Sequence, residues 1–262
     1  MENDTCSILL TVHNQESIIE EVLNGILDNI SDITKELIIV LDGCTDKSES
    51  KIDRLLPKAR DKKLETKIIF TDNVNETRAN NVGLKNSECK YSILVQDDCK
   101  ILEKDFDKRM LKPFKVVQNL LAVSGRDAVD VRIWNGELDY YNLAGADANT
   151  PKNIFSIRDG FNRSPVMVDN AKMKEMNYFD DDFAPLESDD VELGIRAYKA
   201  KGYVVGSYVI DYYSPYHWGS TRKNLESNRI WELSMIKNKK LIIDRHSEFI
   251  AQPKHSMDMV IE

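Results

Sequence analysis

A chain of 262 residues, 42% hydrophobic and 31% charged, has the composition of an ordinary globular protein with one substantial core, and no Pro-, Gly- or Ser-rich stretch divides it. Its net charge of -8, with Lys and Arg spread along the chain, excludes a general nucleic-acid binder, which needs a basic face, and suits a site that takes cations. Cys6, Cys44, Cys89 and Cys99 form no CxxC pair, and there is no basic-then-apolar leader or run of about 18 apolar residues, so the expectation is a cytoplasmic protein without disulfides, structural zinc or membrane span.

The first half alternates short β-branched runs with longer amphipathic stretches, the pattern of a parallel sheet covered by crossover helices. Residues 6–11 read as a strand, and residues 17–30 as a helix whose Ile18, Ile19, Val22, Leu23, Ile26, Leu27 and Ile30 make one apolar face. Residues 37–41 are a continuous apolar run, as in a strand buried on both sides, ending in the turn Asp42-Gly43-Cys44-Thr45-Asp46. A strand at 67–70, a helix at 76–84 and a strand at 91–95 follow, the last stopping at Gln96-Asp97-Asp98. Residues 125–165 read as irregular short strands and loops. Asp169 caps a short helix to about residue 176. A helix at 188–200 with Ser188 as its cap, a strand at 203–209 and a closing helix at 224–238 complete the expected elements.

Polar groups gather where strands end. In open parallel sheets ligands bind beyond that edge, because loops and helix N-termini meet there. Asp97 and Asp98 follow an apolar strand and could hold Mg²⁺ or Mn²⁺, hard ions that take one or two carboxylates and complete their shell with phosphate oxygens. Asp189 and Asp190 stand in the first turn of a helix, where an acid stabilises the positive end by roughly 0.3 to 1 kcal/mol; one of them could instead act as a general base.

The order of these segments resembles family 2 glycosyltransferases of the GT-A fold, a mixed, mainly parallel α/β sheet flanked by helices. The opening 7–16 segment is similar to that family's nucleotide-binding strand and turn, and Asp42-Gly43-Cys44-Thr45-Asp46 to its Asp-Gly-Ser-Thr-Asp turn. The 75–83 helix, with Arg78, Asn80, Asn81 and Gly83, resembles the one before its metal motif. Gln96-Asp97-Asp98 falls where the family has Asp-x-Asp, and Asp189-Asp190 falls at the acidic pair before Leu-x-x-Arg, here Leu193 to Arg196.

The resemblance implies that Thr11, Asn14, Glu16, Asp42, Arg78, Asn81, Gln96 and Asp97 bind the nucleotide sugar, that Asp98 and His217 hold Mn²⁺ or Mg²⁺, and that Asp190 or Asp189 is the catalytic base. Gln96 departs from the motif by replacing an acid with an amide. Trp218 reads either as a sugar-stacking ring or as a buried loop anchor; Arg163, before Ser164-Pro165, resembles a family position ahead of the acceptor-side strand but reads first as a surface arginine, and Trp134, Tyr140 and Tyr141 read as acceptor-side or core rings. The implied activity is inverting transfer from a nucleoside diphosphate sugar, expected to be a UDP-sugar, to a glycan, lipid-linked or protein acceptor. Residues 1–222 would be the catalytic domain and 223–262 a helix and tail packed on it, with peripheral membrane association left open. The rivals are a non-catalytic sugar-nucleotide-binding module and a sugar nucleotidyltransferase; the latter lacks a Gly-rich basic loop after the first strand.

Overall fold

In the computed structural model, which describes residues 4–219 and 225–262, the first hundred residues alternate as their spacing predicts. Strand β1 (Cys6–Val12) leads through helix α1 (Ile19–Asn29) to β2 (Thr34–Asp42), then through α2 (Ser48–Asp53) and α3 (Leu56–Asp61) to β3 (Glu65–Thr71). Helix α4 (Glu76–Lys85), β4 (Tyr91–Gln96), the short β5 (Lys100–Ile101) and α5 (Phe106–Val116) follow. The chain continues with β6 (Leu120–Ser124), β7 (Asp127–Trp134), β8 (Glu137–Gly145), β9 (Ile154–Arg158), β10 (Gly160–Phe161) and β11 (Val166–Asp169), of which β10, β7 and β8 make a separate three-stranded sheet. After α6 (Asn170–Glu175) and α7 (Asp189–Lys201) come β12 (Val204–Ser207), β13 (Tyr212–Tyr213), α8 (Leu225–Ile250) and β14 (Met257–Val260).

The main sheet has the order β14-β9-β12-β6-β11-β4-β1-β2-β3. Strands β4, β1, β2 and β3 are parallel throughout, whereas β11 enters antiparallel between β4 and β6, and β9 and β14 close the other side antiparallel. The period of two is visible in the packing: Leu37, Ile39 and Leu41 of β2 join one apolar core, and Ile38 and Val40 join the other. The apolar face of α1 fills the first core with Ile19, Val22, Leu23, Ile26 and Leu27, all fully buried. Each such side chain stabilises the fold by roughly 1.5 to 3 kcal/mol relative to exposure.

Two regions differ from the sequence reading. Within 125–165 stands a long hairpin, β7 and β8, turning through Asn135 (φ 51°) and Gly136 (φ 84°). Both turn residues are left-handed, the two-residue geometry that Asn-Gly favours; the outer end, with Trp134 exposed, leaves the core, so the alternation that marks a strand fades there. The closing helix also runs twelve residues past the expected stop at Asn238, and its expected first residue, Asn224, lies outside the described residues. Asn238 does not terminate it, because its amide is buried and donates to the carbonyls of Phe183, Leu186 and Glu187. Beyond it Ile242, His246 and Ile250 continue a buried stripe, in which Ile242 and Ile250 pack with Val191 and Ile195 of α7.

Candidate active site

The parallel strands β1, β2 and β4 end at one edge, and the residues that follow line a cleft of about 650 Å³. Thr11, His13 and Asn14 come from β1 and its loop, Asp42 from β2, and Gln96, Asp97 and Asp98 from the end of β4. The facing wall is supplied by the second half of the chain: Arg126, Asn162, Arg163, the 185–190 segment, and Ser227 and Ile230 of α8. Asp98 and Asp190 therefore open onto the same cleft. Among the described residues, six acids (Asp42, Glu76, Asp97, Asp98, Glu187 and Asp190) and two guanidiniums, Arg126 and Arg163, line the cleft. A cation carried in with a diphosphate would be attracted by the acids of this lining.

On the first wall most polar groups shape loops. Gly43 is left-handed (φ +60°), and a Cβ there would meet the backbone nitrogen of Asn73 at 2.8 Å, so the turn after β2 requires glycine. Asp42, 2% exposed, accepts hydrogen bonds from the Thr71 hydroxyl (2.8 Å) and the amides of Val74 (2.6 Å) and Asn75 (3.0 Å), anchoring the loop into α4. Asn14, itself left-handed, accepts from the amides of Thr45 (2.8 Å) and Asp46 (3.3 Å). Thr11 donates to Asn80 at 2.8 Å.

At the end of β4, Asp97 accepts from the His13 amide (2.7 Å) and the Gln15 side chain (3.3 Å). Burial, then the neighbouring Asp98 carboxylate, push Asp97 up to about 8. A divalent ion would relieve that repulsion, and one or two carboxylates opening onto a cleft are what Mg²⁺ or Mn²⁺ takes from a protein, so the donor set fits such an ion. Gln96 presents a neutral amide to the same edge, and this amide donates to Glu76 at 2.5 Å.

The facing wall corrects two expectations. Ser188 does not cap α7: its backbone is left-handed (φ 66°) and its hydroxyl pairs with the Tyr140 hydroxyl at 2.9 Å. The first turn is instead held by the acids, Asp190 N donating to the Asp189 carboxylate (3.0 Å) and Val191 N to the Asp190 carboxylate (2.9 Å). Arg163, read from sequence as a surface residue, is 5% exposed. Its guanidinium reaches Asp189 at 2.7 Å, Glu76 at 3.2 Å and Asp190 at 3.9 Å, and lies over the Phe179 ring. A lone arginine before Ser-Pro gives no local sign of this, because its partners come from α4 and α7.

The two neighbouring acids are thereby separated. Asp189 is fully buried, held by Arg163 and by the Thr77 hydroxyl (2.8 Å), and does not line the cleft; Asp190 does. Burial pushes Asp190 up to about 8, with Arg163 opposing and Asp189 and Glu187 adding to the rise.

Four other expected site residues lie outside the cleft lining. Glu16 is exposed and accepts from the Lys47 amide (2.9 Å) at the start of α2. Arg78 points to Asp181 at 3.8 Å. Asn81 is buried and bonds both ways to the backbone of Phe179. His217 is exposed in a short turn of which Tyr216, rather than the histidine, lines the cleft. Trp218 packs against the first core and meets Tyr213 edge-on, as a loop anchor does. The Arg132 guanidinium lies near the faces of the Trp134 and Tyr141 rings, while Tyr140 packs beside α8.

A mixed α/β sheet whose parallel half ends in an acid-rich cleft is the GT-A class of architecture. The chain belongs to glycosyl transferase family 2, whose model matches residues 7–164. The match ends before Asp189 and Asp190. Among solved structures it is similar to GalNAc-T7 with UDP, GalNAc and Mn²⁺ (10% identity, TM-score 0.62, 79% of this chain and 44% of that one). It is also similar to the mannosyltransferase PcManGT from Pyrobaculum calidifontis in complex with GDP-Man and Mn²⁺ (14%, TM-score 0.61, 95% and 65%). A third is S. aureus TarS (17%, TM-score 0.53, 87% and 39%), which has also been solved as residues 1–349 in complex with UDP. The chain thus spans less than two thirds of each of these proteins. No curated protein sequence matches it.

Proposed function

We propose that the protein transfers a sugar from a nucleoside diphosphate sugar to an acceptor hydroxyl with inversion, using Asp190 as the general base and a divalent ion held at Asp98. The observation that carries this reading is that Asp98, at the end of a parallel strand, and Asp190, at the start of α7, open onto one cleft. Asp190 is preferred over Asp189, whose carboxylate is already engaged by Arg163 and Thr77.

In the step itself the acceptor oxygen forms the bond to the anomeric carbon from the face opposite the leaving group, its proton passes to the Asp190 carboxylate, and the electron pair of the broken bond goes to the diphosphate. Asp98, with Asp97 beside it, would hold Mn²⁺ or Mg²⁺, which when bound supplies positive charge to the diphosphate. Among the described residues, Arg126 and Arg163 bring guanidiniums to the facing wall. A UDP-sugar is the favoured donor, supported by the UDP complexes of TarS and GalNAc-T7; the GDP-Man complex of PcManGT requires that guanine donors be tested beside it.

Residues 1–222 form the catalytic domain in this reading, and 223–262 is part of the same body, supported by the packing of α8 on α7 and on the β7–β8 hairpin. The boundary at 222 falls outside the described residues. No described helix is long and apolar enough to cross a membrane. Mass-spectrometric detection of transferred sugar over a panel of UDP- and GDP-sugars with Mn²⁺, combined with calorimetric binding, tests the proposal. Binding without transfer over a broad acceptor panel would point to the non-catalytic module.

A further inference from the structure

Three carboxylates from two different elements converge on one largely buried cation at the facing wall of the cleft. Glu76 opens α4, Asp189 and Asp190 open α7, and Arg163 sits between them with its side chain 6% exposed. Glu76 also accepts the Gln96 amide, so the cation is linked through Glu76 to the end of β4 on the opposite wall. The contacts are graded. Asp189 takes the short bond at 2.7 Å and a second from Thr77, Glu76 stands at 3.2 Å, and Asp190 remains at 3.9 Å with its carboxylate lining the cleft.

We infer that Arg163 is the positioning residue of the acceptor-side base: by clamping Asp189 and Glu76 it fixes the first turn of α7 against α4, so that Asp190 faces the cleft as an ionisable carboxylate. This rests on the reading of Asp190 as base. A planar guanidinium suits the task because its donors can serve several carboxylates at fixed angles, which an ammonium cannot. Among the described residues, the groups facing Asp190 are Arg163, the acids Asp189 and Glu187 on its own segment, Glu76 on α4 behind the same cation, and Tyr140, whose hydroxyl lies on Ser188. Only Arg163 among them favours the ionised form.

The test compares Arg163→Gln and Arg163→Lys with the unaltered protein by three readouts. The first is the ¹³C carboxyl titration of Asp190, identified by the resonance that Asp190→Asn removes. The second is hydrogen exchange at the amides of Asp190 and Val191, and the third is kcat and donor KM for sugar transfer. Loss of the opposite charge in Arg163→Gln should raise the Asp190 midpoint by about one unit or more. Arg163→Lys should leave the midpoint within about half a unit, since the charge remains. Both variants should exchange the two amides at least about tenfold faster and lose about 10- to 100-fold in kcat, with donor KM within about threefold, because a misaligned base costs rate rather than binding.

An unmoved Asp190 midpoint in folded Arg163→Gln overturns the inference, as does a raised donor KM with unchanged kcat. Should Arg163→Gln not fold, Arg163→Lys decides by itself, and unchanged exchange with unchanged kcat sinks the role. If the unaltered protein moves no sugar from any nucleoside diphosphate sugar, the functional reading fails, while the midpoint and the exchange still decide what Arg163 does.

Discussion

The wall of the cleft built by β1, β2 and β4 takes its shape from main-chain ladders that stay in register over six residues, so that His13, Asp42 and Asp97 emerge where the strands stop. On the facing wall the 185–190 segment is held mainly by side chains: the Arg163 guanidinium and Thr77 hydroxyl on Asp189, the Tyr140 hydroxyl on Ser188, the Trp231 indole on Glu187 and the Asn238 amide on the carbonyls of Leu186 and Glu187. Repeated backbone bonds spread a local error over many contacts. A wall fastened by a few charged side chains concentrates it, because each broken bond leaves a buried polar group unsatisfied at a cost of about 1 to 3 kcal/mol, more for charged groups.

This contrast can be broken at several points. The largest effect belongs to Asp190→Asn, which should lower kcat by about 10² to 10⁴ with little change in melting temperature; retention of normal transfer by both this variant and Asp189→Asn would end the assignment of the base. Asp98→Asn, and separately a chelator, should suppress transfer on the other wall, with Mn²⁺ or Mg²⁺ restoring the chelated enzyme but not the variant. Next comes pH. Asp190 acts ionised and is pushed up to about 8, so kcat/KM should climb about tenfold per unit below that value and level off above it, read from a profile between pH 6 and 9.5.

Two glycines compare the walls directly. A Cβ on Gly194 of α7 would stand 2.2 Å from the Asp159 carbonyl oxygen, which is backbone, whereas one on Gly83 of α4 would stand 2.0 Å from a methyl of Leu9, which can turn. Overpacking costs typically about 1 to 3 kcal/mol, and Gly194→Ala should lie at or beyond the upper end with Gly83→Ala below it in urea unfolding. The smallest effect is expected from Asp97→Asn. A carboxyl raised to about 8 on folding contributes stability that is complete below its unfolded value near 4 and is lost as pH rises through 8. Without metal, the variant should therefore lose less thermal stability than the unaltered protein between pH 6 and 9.

The parallel half was legible because its signals are local: the 37–41 run, the spacing of apolar residues in α1, and acids at the end of β4 each lie within a few residues. Asn135-Gly136 is an equally local turn signal, but the strands it joins lose their apolar partners at the outer end, where Ile133 and Trp134 are exposed, and so read only as irregular short strands. The division of labour between Asp189 and Asp190 was not legible. Adjacent residues on a helix point about 100° apart, and which one faces inward depends on Thr77 and Arg163, brought there by other elements. Likewise Glu16, Arg78, Asn81 and His217 sit close in sequence to residues that line the cleft, yet proximity along the chain does not say which way a side chain turns.

Strand β14 lies antiparallel on β9 as the outermost member of the sheet, and just before it Lys254 reaches the fully buried side chain of Asp159 at 2.5 Å while Ser256 donates to Asp130. Clipping the polypeptide ahead of Lys254 would bare a row of unpaired amides and carbonyls on β9 and strand an anion in the interior. Preparations shortened there should self-associate through that open rim, and the last nine residues behave as a seam of the fold rather than a dispensable appendage.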